Sequence, residues 1–322
     1  MTAPPRSETT ARAVEFVADH LEAAEALGTS IAGLANDPDA FARALTVGLA
    51  SLADPVHLEG QRRVAPGIGP VHGVRSPILA AVSRGFQDAT RDDRATTILF
   101  LADRLFAEVE LEARWFAFDM LGRTLREETE RTWQLLRRAA REAADWITVD
   151  TLAHLYGTGI VAERYRWSEL ELLVYSPSRW ERRLVGSTIA TMSHVDRGRS
   201  RDPDIAARGL PLLANLMGDA EADVQKALSW AYRSLTAVDR AATEAALLDE
   251  TDRAARSDDG FRAWVIRDTL TRLDPTIADA IRASLVGIRK RPGALATSSA
   301  AETAARFGAL PDPSTVPEPP LR

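Results

Sequence analysis

Three short stretches place an aromatic ring and a charged group at helical spacing. In DWITVDTLAHLYG, residues 145–157, Trp146 and Asp150 lie four apart in an otherwise apolar run. In SPSRWERRLVG, Trp180 and Arg183 lie three apart, with Arg179 and Arg182 beside them. In DVQKALSWAYRSL, Lys226, Trp230 and Arg233 fall at spacings of four and three. On a helix, such spacings put both groups on one face, one turn apart. A carboxylate can stabilise developing positive charge, a ring face attracts a cation, and a guanidinium fork suits phosphate. Each stretch also has a plain reading. A Trp on an apolar face is ordinary core, an Arg run is a solvated face, and an early Asp can serve the helix dipole.

Other chemistries are poorly supported. The chain has no Cys, which removes disulfides, thiol nucleophiles and thiolate metal sites. Its five histidines (20, 57, 72, 154 and 194) are scattered without metal-ligand spacing, so neither metal nor cofactor is expected. GIGPVHG at 67–73 is not a dinucleotide fingerprint, and no nucleophile elbow or Walker motif occurs. The net charge of −6 argues against indiscriminate nucleic-acid binding, but it is unevenly spread. Residues 1–60 hold 3 basic and 9 acidic side chains, whereas residues 61–240 hold 26 and 25, leaving room for a local basic patch. Only two of the 40 basic residues are lysines, Lys226 and Lys290, a bias that a GC-rich genome would produce. There is no secretory signal and no apolar run of 18 residues, so a cytoplasmic location is expected.

The elements that must carry these groups are helices. TARAVEFVADHLEAAEALG repeats apolar residues at three and four and is expected to end at Gly28. EETERTWQLLRRAAREAADW, 127–146, reads as one helix, and similar patterns continue to residue 290 with almost no strand-like alternation. The expectation is an all-α chain of a dozen to sixteen helices, stacked as HEAT-like antiparallel pairs in an α-solenoid with a concave binding face. Residues 1–7 are expected to be disordered, 8–55 to form an amino-terminal helical cap, and 56–291 to form the repeat domain. Residues 292–322 read as a disordered Ala/Pro/Ser-rich tail, and 55–73 as an irregular connection.

The sequence resembles the AlkD-type HEAT-like-repeat DNA glycosylases over about residues 70 to 270. Four motifs carry the resemblance in order: HGVRSPIL (72–79), DWITVDTLA, SRWERRLV and VQKALSWAYR. The resemblance implies removal of N3- or N7-alkylated, cationic purines from double-stranded DNA by a monomeric, monofunctional enzyme that leaves an abasic site. It implies that Asp150 is the catalytic carboxylate and that Trp146 and Trp230 contact the damaged nucleotide. It also implies that Arg183 holds backbone phosphate, with Arg75, Lys226, Arg233, Arg179 and Arg182 as further DNA contacts. The lesion can stay in the duplex in such enzymes, so bulky adducts become possible substrates. Actinobacterial relatives protect producers of DNA-alkylating natural products, and the Arg- and Ala-rich composition fits such a source. The stretch 195–204 lengthens a loop relative to the pattern.

Two alternatives stay open at this level. One is a HEAT-like scaffold that binds protein; the other is a lesion-binding relative that does not excise. A scaffold leaves the joint presence of Trp146, Asp150, Arg183 and Trp230 unexplained. A lesion binder would use the same residues as an enzyme.

Overall fold

Four Asp-Pro pairs mark helix starts, each by the same device. The carboxylates of Asp37, Asp54, Asp202 and Asp274 accept the N–H of Ala40, Val56, Asp204 and Thr276 at 2.9–3.0 Å, and proline fills the first helical position. Proline has no N–H to leave unsatisfied there, and its fixed φ already suits the helix. Asp239 and Asp259 cap two further helices without a proline.

The computed structural model describes residues 8–195 and 202–307; the expected disordered start, residues 196–201 of the stretch 195–204 and the end of the expected tail from 308 lie outside them. The chain divides into two compact units, Met1–Leu155 and Tyr156–Arg322. The first holds α1 (Glu8–Ala32), α2 (Pro38–Ser51), α3 (Pro55–Val64), α4 (Ser76–Ala89), α5 (Ala95–Leu105), α6 (Leu111–Thr124) and α7 (Thr129–Glu142). The boundary falls within α8 (Trp146–Ala162). The second unit holds α9 (Trp167–Val174), α10 (Arg179–Val195), α11 (Pro203–Leu216), α12 (Ala222–Leu235) and α13 (Arg240–Ser257). It continues with α14 (Gly260–Thr269), α15 (Pro275–Ser284) and α16 (Ser299–Phe307). Among the described residues there is no strand. None of their helices is long and apolar enough to cross a membrane.

The fold is all-α, as expected. In the second unit α10 packs on α12 and α12 on α14, while α11 packs on α13 and α13 on α15. Alternate helices thus form two layers, the arrangement of stacked helix pairs in an α-solenoid. In the first unit α1 lies along α4, and α5 packs on α2, α6 and α7. Phe41, Phe86 and Phe116, all but fully buried, join α2, α4 and α6; Phe86 is 5.4 Å from Phe41 and 5.6 Å from Phe116 between ring centres.

Four expectations about elements are corrected. The tail expected to be disordered from residue 292 carries α16, which packs on α11 with Ser298 and Ala300 buried. α1 runs past Gly28 to Ala32, because that glycine serves packing rather than termination: a Cβ there would lie 2.0 Å from the Val82 carbonyl oxygen on α4. Residues 55–73 are not wholly irregular, since α3 occupies the first ten of them. Its periodicity is faint because Gln61 is the only residue it buries, and Asp54 starts it by capping. The expected single helix over 127–146 breaks after Glu142, where Ala143 turns extended (φ −63°, ψ 129°) and Asp145 begins α8 anew.

Candidate functional site

The start of α8 is fixed by a relay of three buried side chains. The Asp145 carboxylate accepts the Thr148 backbone N–H at 2.8 Å and its hydroxyl at 2.6 Å. The Trp115 indole N–H, from α6, donates to that hydroxyl at 2.9 Å. Asp145 therefore performs the capping work that an early acid could have been suspected of doing, and the first turn of α8 holds no acid. Trp146 and Asp150 follow one turn apart, both half-buried. The carboxylate of Asp150 is thus set beyond the cap, on a helix whose start is anchored.

In the second unit α10 and α12 carry the other two motifs. They approach closely at Gly186, where a Cβ would sit 2.9 Å from the Ala227 carbonyl carbon. Arg183 is buried, and one guanidinium nitrogen donates to the Asp223 carbonyl at 2.7 Å. Arg182 donates to the Asp219 carboxylate at 2.7 Å and to the carbonyls of Ser176 and Pro177 at 2.8 and 3.0 Å. Arg179 is exposed, lies 4.6 Å from the centre of the Trp180 ring and pairs with Glu221 at 3.5 Å.

On α12, Lys226 is exposed, Trp230 is half-buried, and Arg233 is paired with Asp268 of α14. Burial alone would raise the Asp268 pKa, but the Ser229 hydroxyl and the Arg233 guanidinium outweigh it and lower it. Ser229 donates at 2.7 Å.

Arg75 lies apart from these, at the start of α4, where its ion pair with Asp54 measures 2.7 Å. Arg12 binds the other carboxylate oxygen of Asp54 at 2.8 Å. Burial pushes the Asp54 carboxyl up, but the two guanidiniums and the Val56 N–H hold it well below the usual carboxylate range. Beside it, the fully buried Glu112 accepts the backbone N–H groups of His72, Gly73 and Val74 at 3.1, 2.8 and 3.2 Å. The glycine of that turn has φ +89°, a conformation an L side chain rarely adopts.

The structure thus brings Trp146 and Asp150 together on α8. In the second unit Arg179, Arg182 and Arg183 lie on α10, and Lys226, Trp230 and Arg233 on α12, which packs on α10; Arg75 lies at the start of α4 in the first unit. It also sorts the cations: Arg75, Arg182, Arg183 and Arg233 hold protein carbonyls or carboxylates, whereas Lys226 projects from the surface. Sequence reasoning missed Asp145, Glu112 and Asp219, the carboxylates that hold these segments in place. Asp145 could have been found, because an Asp immediately before an apolar helical run is a capping signal. Glu112 carries no local signal, since its partners are about 40 residues distant.

Residues 45–271 match the family described as DNA alkylation repair enzyme. The chain belongs to that family. The match spans all four motifs, from the turn at 72–79 to VQKALSWAYR, and ends two residues after α14. No curated protein sequence matches the chain. Membership in a family of DNA alkylation repair enzymes makes DNA the partner. Among the described residues no group of three or more His, Asp or Glu is placed to hold a metal ion.

Proposed function

We propose that this member of the family is a monofunctional DNA glycosylase. It hydrolyses the N-glycosidic bond of N3- or N7-alkylated purines and leaves an abasic site. The observation that carries this reading is the pair Trp146 and Asp150, one turn apart and half-buried on α8, with capping assigned to a different acid. Alkylation at N3 or N7 makes the purine cationic, so the base leaves without a general acid. Positive charge then develops on the deoxyribose as an oxocarbenium ion. A fixed carboxylate stabilises that charge, as in glycoside cleavage. Asp150 takes this role and also orients the attacking water.

Trp146 offers its ring face to the cationic nucleotide, and Trp230 is assigned the same kind of contact with the damaged DNA. Arg183, held in one orientation by the Asp223 carbonyl, is assigned to backbone phosphate. Lys226 is assigned to phosphate as well. Because grip on the sugar and backbone would not require the base to enter a pocket, bulky adducts fall within the proposed substrate range, as would self-protection in a producer of alkylating agents. The proposed location is the cytoplasm, on DNA.

The test is base release from duplex DNA carrying N3- or N7-alkylated purines, small and bulky, by wild type and Asp150→Asn. Release that depends on Asp150 supports the glycosylase reading, and the favoured adduct defines its substrate. Folded protein that releases no base from any of these duplexes overturns it.

A further inference from the structure

The chain uses arginine almost exclusively, yet its only two lysines meet in one place. Lys226 lies on α12, and Lys290 lies 64 residues later, between α15 and α16 and beyond the stretch that matches the family. The Lys290 ammonium donates to the side-chain oxygen of Gln225, the residue before Lys226. It also sits 4.1 Å from the centre of the Trp264 ring, on α14.

Lys290 itself is exposed, but the groups that hold it are anchored in the core. Gln225 is fully buried, and its amide nitrogen donates to the Asp219 carbonyl at 2.6 Å, which fixes the oxygen offered to Lys290. Gly260, the first residue of α14, lets the backbone of 289–290 lie against it, since a Cβ there would fall 2.2 Å from the Arg289 carbonyl carbon and 2.3 Å from the Lys290 nitrogen. Burial and the charge of Lys226 both push the Lys290 pKa down. Among the described residues no carboxylate stands within ion-pairing distance of Lys226, Lys290 or the exposed Arg289. Like charges held together without a counter-ion favour an external anion. An ammonium is a compact point charge that can bind one acceptor and still present hydrogens outward.

We infer that Lys226 and Lys290 form a lysine pair that grips the DNA backbone phosphate, with Lys290 positioned by Gln225, Trp264 and Gly260. This rests on the reading of the chain as a DNA-binding repair enzyme. The family match does not reach Lys290, so the pair extends the DNA contact into a segment outside it.

The experiment measures the salt dependence of binding to undamaged and alkylated duplex DNA by the full chain. Wild type is compared with Lys290→Met, Lys290→Arg and the Lys226→Met/Lys290→Met double variant. Methionine keeps an unbranched stem over Trp264 and removes the charge. The slope of log affinity against log salt should shrink by about 0.9 in Lys290→Met and by about twice that in the double variant. Lys290→Arg should restore most of it, whereas a purely structural Lys290 would lower the unfolding midpoint in Lys290→Met and leave the slope unchanged. Wild-type slopes in both methionine variants, while wild type binds DNA, overturn the pair and leave the glycosylase reading standing. Should Lys290→Met unfold, an unchanged slope in Lys226→Met alone overturns it equally. Failure of wild type to bind any duplex overturns the DNA reading and the pair together.

Discussion

Asp145 binds Thr148 twice, through the backbone N–H at 2.8 Å and the hydroxyl at 2.6 Å, and so anchors the helix that carries Asp150 five residues on. Two acids near one helix start are thereby given different tasks. Asp145→Ala should lower stability by about 1–2 kcal/mol, the usual cost of a lost cap. Asp150→Asn leaves the cap intact and should not reproduce the loss of the α8 cap. Urea denaturation of the two variants checks this, and the reverse order would remove the distinction.

Asp150 should matter in the chemical step rather than in binding. Asp150→Asn is expected to slow excision of an N3- or N7-alkylated purine by on the order of 100-fold or more, the scale of a lost transition-state partner. Affinity for the same duplex should change little. Single-turnover kinetics together with direct binding separate the two, and loss of affinity with an unchanged rate would reassign Asp150 to recognition.

Arg182 and Arg183 are neighbours with different expected roles. The Arg182 guanidinium joins Asp219 to the 176–177 carbonyls, so Arg182→Ala should cost about 1–3 kcal/mol in stability and leave the salt slope of DNA binding unchanged. Arg183→Ala should flatten that slope by about 0.9 as well as loosening α10 from α12. Equal slopes in Arg183→Ala and wild type would remove Arg183 from phosphate binding.

Asp54 makes stability pH-dependent in a defined direction. Its folded pKa is depressed by Arg12 and Arg75. Its contribution is therefore complete above the unfolded carboxylate value of about 3.9 and is lost as pH falls through the folded value. Asp54→Asn should cost about 3 kcal/mol at neutral pH, because it breaks a buried pair and leaves Arg75 without its partner. The gap between wild type and variant should narrow below about pH 4. Urea titrations at neutral and acidic pH test this, and a constant gap would exclude ionisation of Asp54 as its source.

The sequence by itself determined the local features. Asp-Pro pairs start helices because capping and a fixed φ are properties of adjacent residues. The three- and four-residue apolar spacing announced the all-α class for the same reason, and the spacing of Trp146 and Asp150 put them one turn apart without reference to the rest of the chain. Where burial was slight, as in α3, the pattern faded and the helix was missed. Tertiary structure decided whatever depends on partners far along the chain. Gly28 looks like a helix end in sequence, but its contact with Val82 makes it a packing position inside α1. Arg75, Arg182, Arg183 and Arg233 read alike as candidate cations, yet each is held by a group between 21 and 40 residues away. Lys290 read only as one of two lysines in an arginine-rich chain until Gln225 and Trp264 gave it a position. Periodicity and capping are written in neighbouring residues. The partners of a charge are set by packing, which a list of spacings does not contain.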